Sequence, residues 1–390
     1  MLLVVLMALA SESARADGFA PISLQSQTSA ATATMNGQRA VLWHKGDRRW
    51  EITIQVEYGG DPDQFAWVVP FPATFTVKEG DSGLMDQLDR LTAPFIAIYY
   101  QSAESADVSM GDVNAGPTTS SVQVWQSGTI GPLGYDVVTA TAPSDLLAWL
   151  SANGYRIPED LDARLAAFID QGYVFFCGRI DKGAVTTSGF SPVTFVFDDL
   201  ANPTYPMELT ALSTDSPLRL TLWVVSPSEA WLPANYDAFE EDGTDCTQSN
   251  LVTCLAQHLD AVEQTARGRG FSTRFLGRFT ESSLVGGLIT GRLPDNALSG
   301  SYYGAVQFPV PAGYAALAKA LQCVAAQKTL DACATETSGA GLAGVATMYL
   351  DADVVTRLDG NIAPGAMRDV LLVQQNAYEG VSNLWTRVVH

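Results

Sequence analysis

The residues of this chain that could do chemistry are few, and their spacing rules out most of the familiar options. Only three histidines occur, His44, His258 and the terminal His390. A Ser-His-Asp or Cys-His site would have to use His44 or His258, because a terminal residue frays. No G-x-S-x-G elbow is present, since "SGFSPV" (188–193) lacks the second glycine. H-E-x-x-H, P-loop and G-x-G-x-x-G patterns are equally absent, which removes the zincin, NTPase and dinucleotide readings. His44, in an early strand, reads as a half-exposed sheet residue rather than as a base.

Carboxylates are plentiful. Glu240, Glu241, Asp242 and Asp245 cluster, but Gly243 is out of register for an EF-hand loop, and Asp351, Asp353 and Asp359 also fall short of one. Solvated acidic loops are the expectation at both places, with an incidental calcium site as the alternative. Trp43, Trp50, Trp67, Trp125, Trp149, Trp223 and Trp231 could line a sugar site; in strand and helix patterns such residues are more often core. Neither a catalytic residue, a cofactor site nor a metal site is assigned.

Cysteine spacing says more. Cys246 and Cys254 are eight positions apart, and Cys323 and Cys333 ten apart, each pair in a polar setting. Cys177 lies alone in "GYVFFCGRI", where a small buried thiol is expected. Leaving one thiol free permits fifteen connectivities, so spacing only suggests the pairs 246–254 and 323–333 as disulfide candidates. Neither is C-x-x-C and no histidine sits at zinc-ligand spacing, which argues against a thiol oxidoreductase or a zinc knuckle.

Disulfides suit an exported protein, and the N-terminus points the same way. Residues 2–10, "LLVVLMALA", are apolar but too short to span a bilayer, and Ala14-Arg15-Ala16 precedes Asp17 as an A-x-A cleavage pattern. A signal peptide over residues 1–16 is expected, although no Lys or Arg precedes the apolar run. The net charge of −20, from 42 acidic against 22 basic residues, disfavours nucleic acid and anionic membranes as partners. With 390 residues, 47% hydrophobic and 16% charged, the chain has material for a sizeable core.

The elements that must position these residues are strands and a few helices. "RAVLWHK" (39–45) and "WEITIQVEY" (50–58) read as paired strands, the second with period-2 alternation. "FAWVV" (65–69) lacks polar alternation and reads as a central strand ended by Pro70 and Pro72. Leu84, Leu88 and Leu91 have helical spacing. Ser144, Gly154 and Pro158 punctuate a helical hairpin, with Ser144 as N-cap. Strands are expected at 173–180, 193–197, 205–212, 218–226 and 271–279, an acidic loop at 235–247, and helices at 249–266 and 311–327. These elements give an α+β fold: a mostly antiparallel twisted sheet system with a helical hairpin packed on it and a mixed C-terminal region. The expected division is a tail or leading strand at 17–37, a main domain at 38–285, and the mixed region at 286–390 packed on it.

Three blocks in this order carry a resemblance. "QVEYGGDPDQFAWVVPFPATFTVKEGDSGLMDQLDRLTAP" (55–94), "DLLAWLSANGYRIPEDLDARLAAFIDQGYVFFCGRI" (145–180) and "SPVTFVFDDLANPTYPMELTALSTDSPLRLTLWVVS" (191–226), with the later "STRFLGRFT" (272–280), resemble the bacterial domain of unknown function 2330. The resemblance implies an exported protein and an architecture, and brings no catalytic residue with it. Two departures matter: Asp17-Gly18-Phe19-Ala20 stands where many members carry cysteines, and no apolar span follows Val381, which predicts a released rather than an anchored protein. The functional expectation is a non-catalytic binding or interaction module of the bacterial envelope or exterior, its partner another envelope or surface protein. The alternatives are a carboxylate-dependent hydrolase of polysaccharide and a calcium-stabilised structural protein.

Overall fold

The computed structural model describes residues 34–59, 66–92, 95–96, 122–155, 157, 161–180, 191–212, 214, 216–240, 251–279, 283–290, 292–294, 307–309, 312–352, 354–375, 380 and 384–385. The expected signal peptide and Cys246 lie outside them. Along the chain run β1 (Thr34–His44), β2 (Trp50–Gly59), β3 (Ala66–Phe71), β4 (Thr76–Glu79), α1 (Leu84–Thr92) and β5 (Phe95–Ile96). Then follow β6 (Gln123–Ile130), β7 (Leu133–Thr139), α2 (Pro143–Ala152), α3 (Leu161–Asp170), β8 (Val174–Ile180), β9 (Val193–Phe197) and β10 (Thr204–Tyr205). Next are β11 (Leu218–Ser226), β12 (Ala230–Pro233), β13 (Asp237–Glu240), α4 (Leu251–Thr265), β14 (Gly270–Arg278) and α5 (Ser283–Thr290). The chain continues through β15 (Arg292–Pro294), β16 (Gln307–Pro309), α6 (Ala315–Gln327), α7 (Leu342–Asp351), β17 (Val354–Ile362), β18 (Val370–Gln375) and β19 (Leu384–Trp385).

The fold is α+β, as expected, and its sheets are mostly antiparallel. Eight strands pair in the order β13-β14-β17-β11-β1-β2-β9-β4, with β1–β11 and β13–β14 parallel and the rest antiparallel. A second sheet has the order β3-β8-β7-β6, and a third, of three strands, β10-β18-β12. Strand alternation explains the layers, because successive side chains leave a strand on opposite faces. Ala40, Leu42, Ile52 and Ile54 from the large sheet meet Trp67, Val69, Phe71 and Phe176 from the second sheet in one core. The opposite residues of β1 and β11, Val41, Trp43, Trp223 and Val225, turn to a second core under α1, α5, α6 and α7. Val68, Phe175 and Cys177 face a third core under α2 and α3. The order is therefore helices, large sheet, small sheet, helical hairpin, so both sheets are buried on two faces.

The aromatic stretch at 66–75 sits in the first core: Trp67, Phe71 and Phe75 are buried, and Phe71 contacts Phe75, Phe195 and Phe197 at ring-centroid distances of 5.1, 4.7 and 5.2 Å. Phe65 lies outside the described residues. Both faces of β3 are covered, but β3 is an edge strand, not a central one, and Pro70 lies inside it opposite Phe175. An edge is where a strand tolerates a residue with no N–H to donate.

Other expectations shift for identifiable reasons. Residues 205–212 form only the short β10 and then a 3-10 turn, Glu208–Leu212. Pro206 removes a ladder donor, and the side chain of Asp369 takes the N–H groups that open the turn. The expected acidic loop at 235–247 contains β13, paired in parallel with β14. The cap of α2 is Ala142 with Pro143 at the first position, rather than Ser144. The stretch 286–390, expected as a mixed region packed on the main domain, supplies α6, α7 and β17, and β17 lies between β14 and β11 in the large sheet. Asp81 fastens this part as well, since its Oδ1 accepts from the N–H of Gly83 (3.0 Å) and of Gly341 (2.8 Å). The two glycines touch, and Gly341 has φ +74, so no side chain fits between them.

Candidate functional site

The densest constellation of charged side chains lies on the helix-covered face of the large sheet. On β17, Arg357 and Asp359 are two apart and share that face; β11 places Trp223 opposite Arg357 and Thr221 opposite Asp359. On β14, Ser272 pairs with Asp359, and Arg274, two residues on, reaches the same face by alternation at the register shift between Thr273 and Phe275. The carboxylate of Asp359 accepts from Arg357 Nε at 3.0 Å and from Thr221 Oγ1 at 2.5 Å, and forms an ion pair with Arg274, whose Nε lies 3.0 Å away. The rest of the Arg357 guanidinium reaches Asp89 on α1, Nη2 to Oδ1 at 2.8 Å, and donates to Thr92 Oγ1 at 3.3 Å. Thr92 Oγ1 also accepts from Trp223 Nε1 at 2.9 Å.

Two guanidiniums thus meet two carboxylates. Arg274, Arg357 and Asp359 are all buried, which is affordable only because each charge is compensated. Burial alone would raise the Asp359 carboxyl, but Arg357 and Arg274 more than reverse this and hold it below the ordinary value. Asp359 is therefore an anchor ionised at neutral pH, unsuited to giving or taking a proton there. Chemically the constellation fixes α1 and α4 on the sheet, Arg274 Nη2 also donating to Leu255 O of α4 at 3.4 Å.

A second polar cluster lies at the seam of the core between the sheets and the core under α2 and α3. Asp369 Oδ1 accepts from the N–H of Met207 (2.9 Å) and of Glu208 (2.8 Å), the first turn of Glu208–Leu212. Burial, with the carboxylate of Glu208 nearby, pushes the Asp369 carboxyl up to about 6 against the opposing effect of those two N–H groups. Glu208 is reached in turn by Arg164 of α3, at 3.9 Å from its carboxylate and 3.3 Å from its carbonyl.

The residues singled out in the sequence are mostly structural. Cys323 and Cys333 are joined in a disulfide that ties α6 to the turn Asp331–Cys333. Cys254 is disulfide-bonded too. Cys177 is a free thiol, wholly buried, and burial pushes its pKa well up, which makes it inert. His44 stacks on Trp50 (4.5 Å between centroids), its Nε2 bonded to the carbonyl of Asp47 at 2.8 Å in the β1–β2 turn. His258 stands one helical turn from Cys254 on α4, its Nε2 3.7 Å from the sulfur. Of the acids at 351–359, Asp351 is exposed at the end of α7, Asp353 lies outside the described residues, and Asp359 is not a solvated loop residue but the buried anchor above. Among the described residues no three or more His, Cys, Asp or Glu are grouped to hold a metal ion.

Trp43, Trp50, Trp67 and Trp223 are core, whereas Trp125 is 58% exposed. Leu371 and Val373 on β18 are 46% and 40% exposed, alternating with buried Val370 and Leu372. Spacing missed the Arg-Asp constellation because its members lie in three strands and a helix. The one local signal is Arg357-x-Asp359, two charges at period two within an apolar strand.

No curated protein matches the chain. Among solved structures, two of a mutated baculovirus P35 after caspase cleavage align with TM-scores of 0.30. One is 11% identical and covers 52% of this chain and 77% of that one; the other is 10% identical and covers 51% and 78%. Likeness at that level bears on neither fold nor function. A family model does match, over residues 25–290, more than half of the chain: the protein belongs to the family described as uncharacterized protein conserved in bacteria (DUF2330).

Proposed function

We propose that the protein is an exported, non-catalytic interaction module of the bacterial envelope or exterior, and that its partner is another protein. The observation that carries this is the outer face of the three-stranded sheet. Leu371 and Val373 stand out from β18, with half-buried Leu232 of β12 directly opposite Val373. Exposed aliphatic pairs on a regular strand, in a chain of net charge −20, fit apolar contact with a protein. The same charge disfavours nucleic acid and an anionic bilayer as occupants, and no helix among the described residues is long and apolar enough to cross a membrane. Export is supported by the apolar leader with its A-x-A pattern and by the disulfide-bonded cysteines.

The test is a photo-crosslinking residue placed singly at Leu371, at Val373 and at the exposed helix position Lys319 in cells. A discrete adduct with one protein from the two β18 positions and none from 319 supports the reading. Equal labelling at all three, or adducts to lipid only, overturns it.

A further inference from the structure

The three-stranded sheet differs in charge from the chain that carries it. None of its strands holds a charged residue: β10 reads TY, β12 AWLP and β18 VLLVQQ. In a protein of net charge −20 this leaves Leu371, Val373 and half-buried Leu232 on a surface without the charged side chains that commonly guard a sheet.

Two guanidiniums stand beside that surface. Asn235, just past β12, connects them to β18: its Oδ1 accepts from the Leu371 N–H at 2.9 Å, its Nδ2 donates to Asp369 O at 2.7 Å, and its carbonyl accepts from Arg269 Nε at 2.7 Å. Arg269 also lies over the ring of Tyr236, 5.6 Å from its centroid. The hydroxyl of the same tyrosine accepts from the Arg368 N–H at 2.8 Å, and Arg368 turns its Nη1 to the carbonyl of Met367 at 2.5 Å. Both arginines are exposed. Among the described residues neither is ion-paired, whereas Arg39 and Lys78 each hold a carboxylate, at 2.8 and 2.9 Å. Asp237, exposed beside Tyr236, pairs with neither, and Asp369 turns its carboxylate to the N–H groups of Met207 and Glu208. Bonds to carbonyls thus fix where the two guanidiniums stand while their charge stays uncompensated.

We propose that this face, with Arg269 and Arg368 at its rim, docks an acidic segment of a partner protein that presents aliphatic and carboxylate side chains together. The inference rests on the reading of Leu371 and Val373 as an interaction surface and adds the partner's charge. Aliphatic side chains of the partner cover Leu371, Val373 and Leu232, and its carboxylates take the two guanidiniums; arginine is enriched in protein interfaces for this kind of contact. Screening limits the reach of exposed charges to about 8–10 Å at ordinary ionic strength, so a short acidic segment feels the two arginines at contact more than the remoter acids. A polyanion spread over the whole surface meets the excess of acids instead.

Peptides selected from a random displayed library on the immobilised full chain, their binding then measured by fluorescence anisotropy, test the proposal. The selected sequences should be enriched in both aliphatic and acidic residues, and their binding should weaken as salt is raised. Leu371→Asp/Val373→Asp should abolish it. Arg269→Glu/Arg368→Glu should weaken it by roughly tenfold or more, and Arg269→Lys/Arg368→Lys, which keeps the charge, should weaken it much less at an unchanged melting temperature. Aliphatic peptides without acidic enrichment, dependent on Leu371 and Val373 but indifferent to salt and to the arginine changes, would overturn the charge assignment and leave the interaction surface standing. If no selected peptide depends on Leu371 and Val373, both readings fall. A dimer of this chain, or binding to phosphatidylglycerol vesicles, abolished by the arginine changes would give the face to a second copy or to lipid and equally overturn the proposal.

Discussion

Replacing Asp359 by asparagine keeps the shape of the side chain and removes one negative charge from the interior. Its carboxylate is the shared ion-pair partner of Arg274 and Arg357, both at 3.0 Å and all three buried. After the change two buried guanidiniums have only Asp89, whose side chain is 48% exposed, to face. Breaking a buried pair by removing one partner costs about 3–5 kcal/mol, because it strands a charge that water cannot reach. Against a usual total of about 5–15 kcal/mol, that is about a fifth of the stability or more. Urea unfolding followed by circular dichroism measures it, with Arg39→Met as the reference. Arg39 pairs with Asp86 at 2.8 Å, but that carboxylate is 57% exposed, so its loss should cost no more than about 1 kcal/mol. If Asp359→Asn fails to fold, replacing Arg274, Arg357 and Asp359 together by Met, Met and Leu should restore folding, since apolar residues of similar size substitute for a buried ionic group. The reasoning is refuted if Asp359→Asn costs no more than the Arg39 change.

Four further outcomes follow from the same structure. Acidification through the depressed Asp359 value should lose the stability that its ionised form contributes, a loss confined to below about pH 4 and absent from the asparagine variant. A chain ending at residue 290 lacks β17 and leaves the facing edges of β11 and β14 without a partner, so it should be insoluble; a cooperatively unfolding 25–290 fragment would contradict this. Cys323→Ser should lower stability by roughly 2–3 kcal/mol in oxidising buffer and by much less in reducing buffer. Gly172→Ala and Gly341→Ala start from the same φ of +74; the first, with open space around it, should cost about 1–2 kcal/mol, and the second considerably more, because its Cβ falls 2.3 Å from Gly83.

Much of the architecture was legible because local chemistry dictates it. The alternation in "WEITIQVEY" gives β2, and Leu84, Leu88 and Leu91 give the buried stripe of α1. The apolar character of "FAWVV" announced two covered faces, but strand order is set by long-range pairing that a local pattern does not carry, so its place at an edge went unread. The turn at 208–212 was hidden for a similar reason: the acceptor that opens it, Asp369, is 161 positions away. Arg274 joins the buried constellation by alternation from Ser272, but that Ser272 lies opposite Asp359 is set by the pairing of β14 with β17, 87 positions away in the chain. Glu241, Asp242 and Asp245 lie outside the described residues, and Asp351 and Asp359 are not neighbours despite their nearness in sequence, the first exposed and the second buried.

The measurement closest to the central claim is in-cell capture by the tagged full chain and by Leu371→Asp/Val373→Asp, with the melting temperature of both measured alongside. Both side chains are exposed, so the double change should leave melting nearly unaltered. The account predicts one protein partner captured by the wild type and lost by the variant at unchanged stability. A partner retained in full by the variant, or turnover of a glycan substrate by either protein, would contradict it.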